Sequence, residues 1–251
     1  MHNVVLSVLA HPDDAEFLCA GTLVRLAREH AWEVHVASMT PGDCGSAEHG
    51  AEEISRIRRG EGASAAAVIG ARYHCLEQRD LRVCYNERAL EKVVRLYREV
   101  RPRIVLTHSP ADYMLDHEIT STLARAAAFA AAVPNFACDR GHAPPLDHVP
   151  HLYYCDAAEG KDLFGREVVP AFCIDTSAVI DTKAKMLGCH ASQRNWLLRQ
   201  HGMDQYVETM RAWSSQRGRP HGVAFAEGFR QHLGHSYPQS NLLGELLGVL
   251  A

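Results

Sequence analysis

The stretch NVVLSVLAHPDDAEF, Asn3 to Phe17, sets a near-continuous Val- and Leu-rich apolar run directly ahead of His11, Asp13 and Asp14. Such a run is the pattern of a strand covered on both faces, and FLCAGTLVRLAREH, residues 17–30, then changes to helical spacing. The chain therefore opens as strand, short loop and helix. Two adjacent carboxylates at the end of a buried strand repel each other, so a partner is expected to offset that cost. A metal ion is one such partner, and whether it is the right one depends on the rest of the chain.

The same alternation continues outward. WEVHVASM (32–39), ARYHCL (71–76), RIVLTH (103–108), HLYYCDA (151–157) and AFCIDT (171–176) read as further strands. Helices are expected over 51–71, over 86–100 with Asn86 as N-cap and a stop at Arg101-Pro102, over 118–133, over 178–200 and over 204–218. VPNFACDRGHAPPLDHVP (133–150) reads as a long surface loop or lid. Strands alternating with helices predict an α/β fold, a mostly parallel sheet covered on both faces, in one domain spanning 1–251.

The 251 residues are 47% hydrophobic and 22% charged, the balance of a globular protein with a substantial core. A net charge of -4, with both signs dispersed, leaves no footprint for nucleic acid or an anionic membrane and favours a small-molecule partner. Eight cysteines without CxxC pairs indicate neither a thiolate zinc knuckle nor a disulfide framework, so reduced thiols in a cytoplasmic protein are expected. The first apolar run is too short for a secretory leader and no later stretch is long enough to span a bilayer.

In open α/β sheets ligands bind beyond the carboxyl ends of the strands. Three loops at such ends carry polar residues: HPDD, TPGDCGS (40–46) and THSPADYMLDHE (107–118). Should they converge, His11, Asp14 and His117 supply two imidazoles and a carboxylate, a set suited to zinc or a similar divalent ion with a position left for water. Asp13 would then stand free as a proton acceptor. Taken alone, Asp13 or Asp14 reads more readily as a helix cap and His117 as a capping or solvated residue; it is their joint placement that favours the metal.

AHPDDAEF after the first strand, TPGDCGS after the second, DYMLDHE after the fourth, HASQ (190–193) and AEGF (226–229) together resemble the PIG-L/LmbE-type family of zinc-dependent deacetylases over most of the chain. The resemblance implies a Rossmann-like three-layer fold and hydrolysis of N-acyl groups, typically acetyl from N-acetylglucosamine or related conjugates. It implies that His11, Asp14 and His117 bind zinc and that Asp13 is the general base, and its members are often oligomeric, which leaves a homo-oligomer open to this chain.

One position departs from that family. Its members often read HPDH where this chain has Met114, Leu115, Asp116 and His117, and methionine cannot donate the hydrogen bond ascribed to the first histidine. Tyr113, His190 and His221 are candidate substitutes, while Asp116 is expected to orient a histidine or cap the helix. Asp43 is expected near the crevice. Arg59 and Asp80 are candidates for substrate contact or support, against plainer readings as a solvated helix arginine and a turn aspartate. Trp196, Tyr206 and Trp213 read as core or interface residues rather than sugar-stacking platforms. The rival function is a catalytically weakened metal-binding homologue, given Met114. A nucleotide-binding protein is disfavoured because neither GxGxxG after the first strand nor GxxxxGK[ST] occurs.

Overall fold

The computed structural model describes residues 3–136, 143–194 and 205–250. Trp196, Cys138, the middle of the 134–150 loop and the end of the helix expected over 178–200 lie outside them. The strands are β1 (Val4–Leu9), β2 (Glu33–Ser38), β3 (Arg72–Cys75), β4 (Ile104–Thr107), β5 (His151–Cys155), β6 (Phe172–Asp175) and β7 (Ala226–Gln231). They form one sheet in the order β3-β2-β1-β4-β5-β7-β6. The pairings from β3 through β5 are parallel, and β7 runs antiparallel to both β5 and β6.

Every residue of β1 is buried, because helices cover both faces of the sheet. Leu6 and Val8 join one core with residues of α4 (Glu87–Val100) and α5 (Leu115–Ala130), including Val93, Tyr97 and Leu123. Val5 and Leu9, on the opposite face, join Leu23 and Leu26 of α2 (Ala20–His30) in the second. That is the three-layer arrangement the alternation predicts. Asn86 caps α4 as expected, its side chain accepting from Ala89 N at 2.8 Å. No helix among the described residues is long and apolar enough to cross a membrane.

Some expectations change. The helix foreseen over 17–30 is two, α1 (Asp14–Leu18) and α2, divided at Cys19, whose φ of -148° breaks the helical run. That over 178–200 is interrupted after α6 (Ile180–Leu187) at Gly188 and Cys189 and is helical again over 191–194, while α7 (Tyr206–Gly218) matches the last one; α3 (Ala51–Ala67) and the short α8 (Leu242–Leu247) are further helices. AEGF, outside the strands expected from the sequence, is the first part of strand β7. Glu227 there accepts Gly21 N and Thr22 N, both at 2.8 Å, at the start of α2, and pairs with the fully buried Lys183 at 2.7 Å. Both charges are thus compensated, as burial requires.

The lid reading does not hold for the described part of 133–150. Of its described part, Leu146 is buried in the α4–α5 core with its N–H on Ala131 O, and Asp147 pairs with Arg101 at 3.0 Å. These contacts place it at the amino ends of the strands, opposite to the candidate site.

Candidate functional site

The chain reverses its winding direction at β1, which lies between β2 and β4, and the crevice opens at the carboxyl ends of those strands. It measures about 490 Å³, within the range of small-molecule sites. His11, Asp13 and Asp14 enter it from the turn after β1, Asp80 and Leu81 from the loop after β3, and Tyr113, Met114 and His117 from the start of α5.

Three of these side chains meet. His11, Asp14 and His117 offer ligand atoms that all lie within 4.8 Å of one another. His11 Nδ1 is 3.2 Å from Asp14 Oδ2, and His117 Nε2 is 3.7 Å from Asp14 Oδ1. The opposite nitrogen of each ring faces another carboxylate: His11 Nε2 lies 3.0 Å from Asp80 Oδ1 and 3.5 Å from Asp116 Oδ2, and His117 Nδ1 lies 2.9 Å from Asp112 Oδ1. A carboxylate at one ring nitrogen fixes the proton there and leaves the other nitrogen as a lone pair. Two such lone pairs aimed at the Asp14 carboxylate form a set that a cation satisfies.

The electrostatics agree. Burial alone would lower the pKa of both imidazoles, but Asp14 with Asp116 and Asp80 holds His11 well above its ordinary value, and Asp14 with Asp112 raises His117. Burial disfavours the Asp14 carboxylate too, yet His117, His11 and His108 hold its pKa well below normal. Positive charge is therefore favoured at this spot. His108 behaves differently: burial, reinforced by His117, pushes it down to about 4. Neutral, it accepts Ala10 N at 2.9 Å and stacks on His117 with ring centres 3.9 Å apart and planes 8° apart.

Asp13 sits outside this group. As N-cap residue of α1 it makes no side-chain cap bond. Its Oδ1 accepts from Arg58 Nη2 at 3.0 Å and its Oδ2 accepts from the Tyr206 hydroxyl. Arg58 reaches it across the TPGDCGS loop because two glycines leave room. A Cβ on Gly42, whose φ is 73°, would stand 2.2 Å from Arg58 Nη1, and one on Gly45 would stand 2.5 Å from the same atom. Gln193 of HASQ secures the loop from the other side, donating to Gly45 O at 2.8 Å.

Several sequence expectations fall differently. The arginine at the crevice is Arg58, not Arg59, which points outward and pairs with Glu77 at 3.0 Å. Asp43 does not line the crevice; it accepts Asp80 N at 2.7 Å and Arg79 Nε at 2.6 Å, fixing the loop that carries Asp80. His190 is fully buried, 3.4 Å from Glu16, and neither it nor His221 lines the crevice. Tyr113 and Met114 do, with the Tyr113 ring edge-on to His117 at 5.6 Å. Asp116 sits in the first turn of α5 and accepts Leu81 N at 2.7 Å. Tyr206 packs in a core with Ile180, Leu187 and Met210, as expected, and it also lines the crevice, as does Trp213.

A sequence profile of the PIG-L family, described as GlcNAc-PI de-N-acetylase, matches residues 6–128, the span from β1 to α5 that contains His11, Asp13, Asp14 and His117. Residues 6–128 carry a PIG-L domain. Among curated relatives, the 1D-myo-inositol 2-acetamido-2-deoxy-alpha-D-glucopyranoside deacetylase of Rhodococcus erythropolis is 28% identical over 239 residues, covering 75% of this chain and 80% of the relative. The 4-oxalmesaconate hydratase of Pseudomonas putida is 26% identical over 200 residues, covering 76% and 74%. Among solved structures, the N,N'-diacetylchitobiose deacetylase of Pyrococcus horikoshii superposes with a TM-score of 0.77 at 24% identity, covering 96% of this chain and 88% of that one. The last likeness concerns the fold. Relatives named for a deacetylase and for a hydratase thus match this chain about equally, and the site residues must distinguish between the two chemistries.

Proposed function

We propose that the protein is a divalent-metal-dependent hydrolase that removes an acyl group, acetyl in the simplest case, from the nitrogen of an amino sugar or amino-sugar conjugate. The observation that carries this reading is the pair of imidazole nitrogens, His11 Nδ1 and His117 Nε2, aimed at Asp14 with Asp13 beside them and outside the group. His11, Asp14 and His117 would hold the ion, and two nitrogens with one carboxylate suit zinc. Bound there, a divalent ion polarises an amide carbonyl and acidifies water toward a pKa of about 7.

The remaining steps belong to the chain's own residues. Asp13 takes the proton of the attacking water and returns it to the departing nitrogen, while Arg58 and Tyr206 keep its carboxylate turned into the crevice. Asp112 and Asp80 brace the two imidazoles. Met114 offers the developing oxyanion no donor, and of the three substitutes considered Tyr113 alone lines the crevice, so that contact is assigned to its hydroxyl.

Among the described residues the crevice lining offers no unpaired Lys or Arg to seat the carboxylates of an acid of the kind named for the Pseudomonas putida relative, which favours a neutral amide. Asp13, Asp14 and Asp80 line it, and Arg58, the one Lys or Arg among the described lining residues, is already paired with Asp13. Amine release from N-acetylglucosamine and its conjugates tests the reading: a chelator abolishes it and added zinc restores it. No amine from any of these substrates while the protein still binds its ion would leave a binding protein instead. Asp112→Asn removes a carboxylate that holds a ligand imidazole and weakens metal affinity about 10- to 100-fold, measurable by competition with a chromogenic chelator.

A further inference from the structure

Beyond the reacting groups, the crevice has an apolar wall. Phe17 packs between Tyr206 and Trp213, ring centres 5.2 and 5.3 Å away, and these three with Leu18 and Met114 line the cavity from the carboxylates outward. At the mouth stands Leu81, 65% exposed. Its backbone is at φ 61°, a left-handed conformation that residues other than glycine, asparagine and aspartate seldom adopt. It is held so by Asp116, which accepts Leu81 N at 2.7 Å and Val83 N at 3.3 Å while lying 3.5 Å from His11. A large apolar side chain is thus fixed at the rim in an uncommon conformation by a carboxylate that also touches the reacting cluster. Backbone outliers of this kind gather at ligand sites.

The polar groups of the same cavity are largely engaged within the protein. Asp13 is taken by Arg58 and Tyr206, Asp80 by Cys44 N and His11, and the Gln193 amide by Gly45 O. A bare sugar exchanges the hydrogen bonds its hydroxyls make with water for new ones in its site, and this cavity offers few. An alkyl or aryl group needs only to be covered.

Resting on the hydrolase reading, we infer that the preferred substrate carries an apolar substituent of several carbons next to the reacting amide, seated against Phe17, Met114, Trp213 and Leu81. The substituent belongs either to the acyl group or to the glycosyl side of the amine, and two substrate series separate these sources. In the first, glucosamine carries N-acetyl, N-butanoyl or N-hexanoyl groups; in the second, N-acetylglucosamine carries a methyl or a hexyl aglycone. Each fully covered methylene multiplies affinity about fourfold. In an open crevice the longest member of one series is expected to exceed the shortest at least about tenfold in kcat/KM. Leu81→Asn, which tolerates the same backbone conformation, is expected to cut that ratio at least about threefold.

Flat or falling values along both series, with amine still released, overturn the inference and leave the hydrolase reading intact. A parallel calorimetric titration of the full-length protein with hexyl and methyl glucoside, neither of which has an amide, needs no turnover. Tighter binding of the hexyl compound without amine release from any substrate would uphold the apolar subsite and end the hydrolase reading. Equal binding of the two glucosides without amine release would end both.

Discussion

Asp13→Asn is expected to lower kcat for amine release by about 10³-fold while the protein keeps its metal ion. Asparagine preserves the shape of the side chain, its amide oxygen still accepts from Arg58, and its amide nitrogen can donate to the Tyr206 hydroxyl, so the turn after β1 stays in place. What it cannot do is accept a proton and pass it on. Because Asp13 lies outside the His11, Asp14 and His117 group, the loss falls on turnover rather than on metal content. Initial rates and metal content measured on one preparation check both halves, and turnover near the wild-type value would remove Asp13 from the role of base.

Tyr113→Phe is expected to reduce kcat by about 10²- to 10³-fold, the usual effect of deleting one donor to a developing oxyanion, with a much smaller change in KM. The phenol can play this part because Tyr113 stands at the crevice with its ring edge-on to His117, directly before the N-cap residue of α5, Met114. The sequel is a rescue. Met114→His places an imidazole donor at the same helix start, and in the Tyr113→Phe background it is expected to recover at least about tenfold. Undiminished kcat in Tyr113→Phe would show that the donor is another group.

Much of this was legible in the sequence, for physical reasons. A strand buried on both faces must be apolar nearly throughout, so β1 announces itself, and the polar turn that ends it falls where α/β sheets bind ligands. The gaps have causes of the same kind. Asp112 escapes a linear reading although it precedes His117 by five residues, because nothing in the sequence shows which carboxylate a ring nitrogen will face. Tyr206 and Trp213 come from a helix far along the chain, and only its packing brings them to the crevice.

Arg58 was recoverable. Within α3 the buried positions Ile54, Arg58 and Gly62 recur every four residues, a period that selects Arg58 for the inner face and turns Arg59 out to Glu77. His108 sits directly after β4 and could have been read from the strand boundary, whereas the strand in AEGF lacked any alternation to mark it.

The most direct test of the account is the metal content of the purified protein beside that of a His11→Ala, His117→Ala double variant, by elemental mass spectrometry after dialysis against metal-free buffer. If His11, Asp14 and His117 jointly hold the ion, the wild type carries close to one divalent ion per chain and the folded double variant carries none. One ion retained by the double variant, or amine release by a wild type stripped of metal, would contradict it.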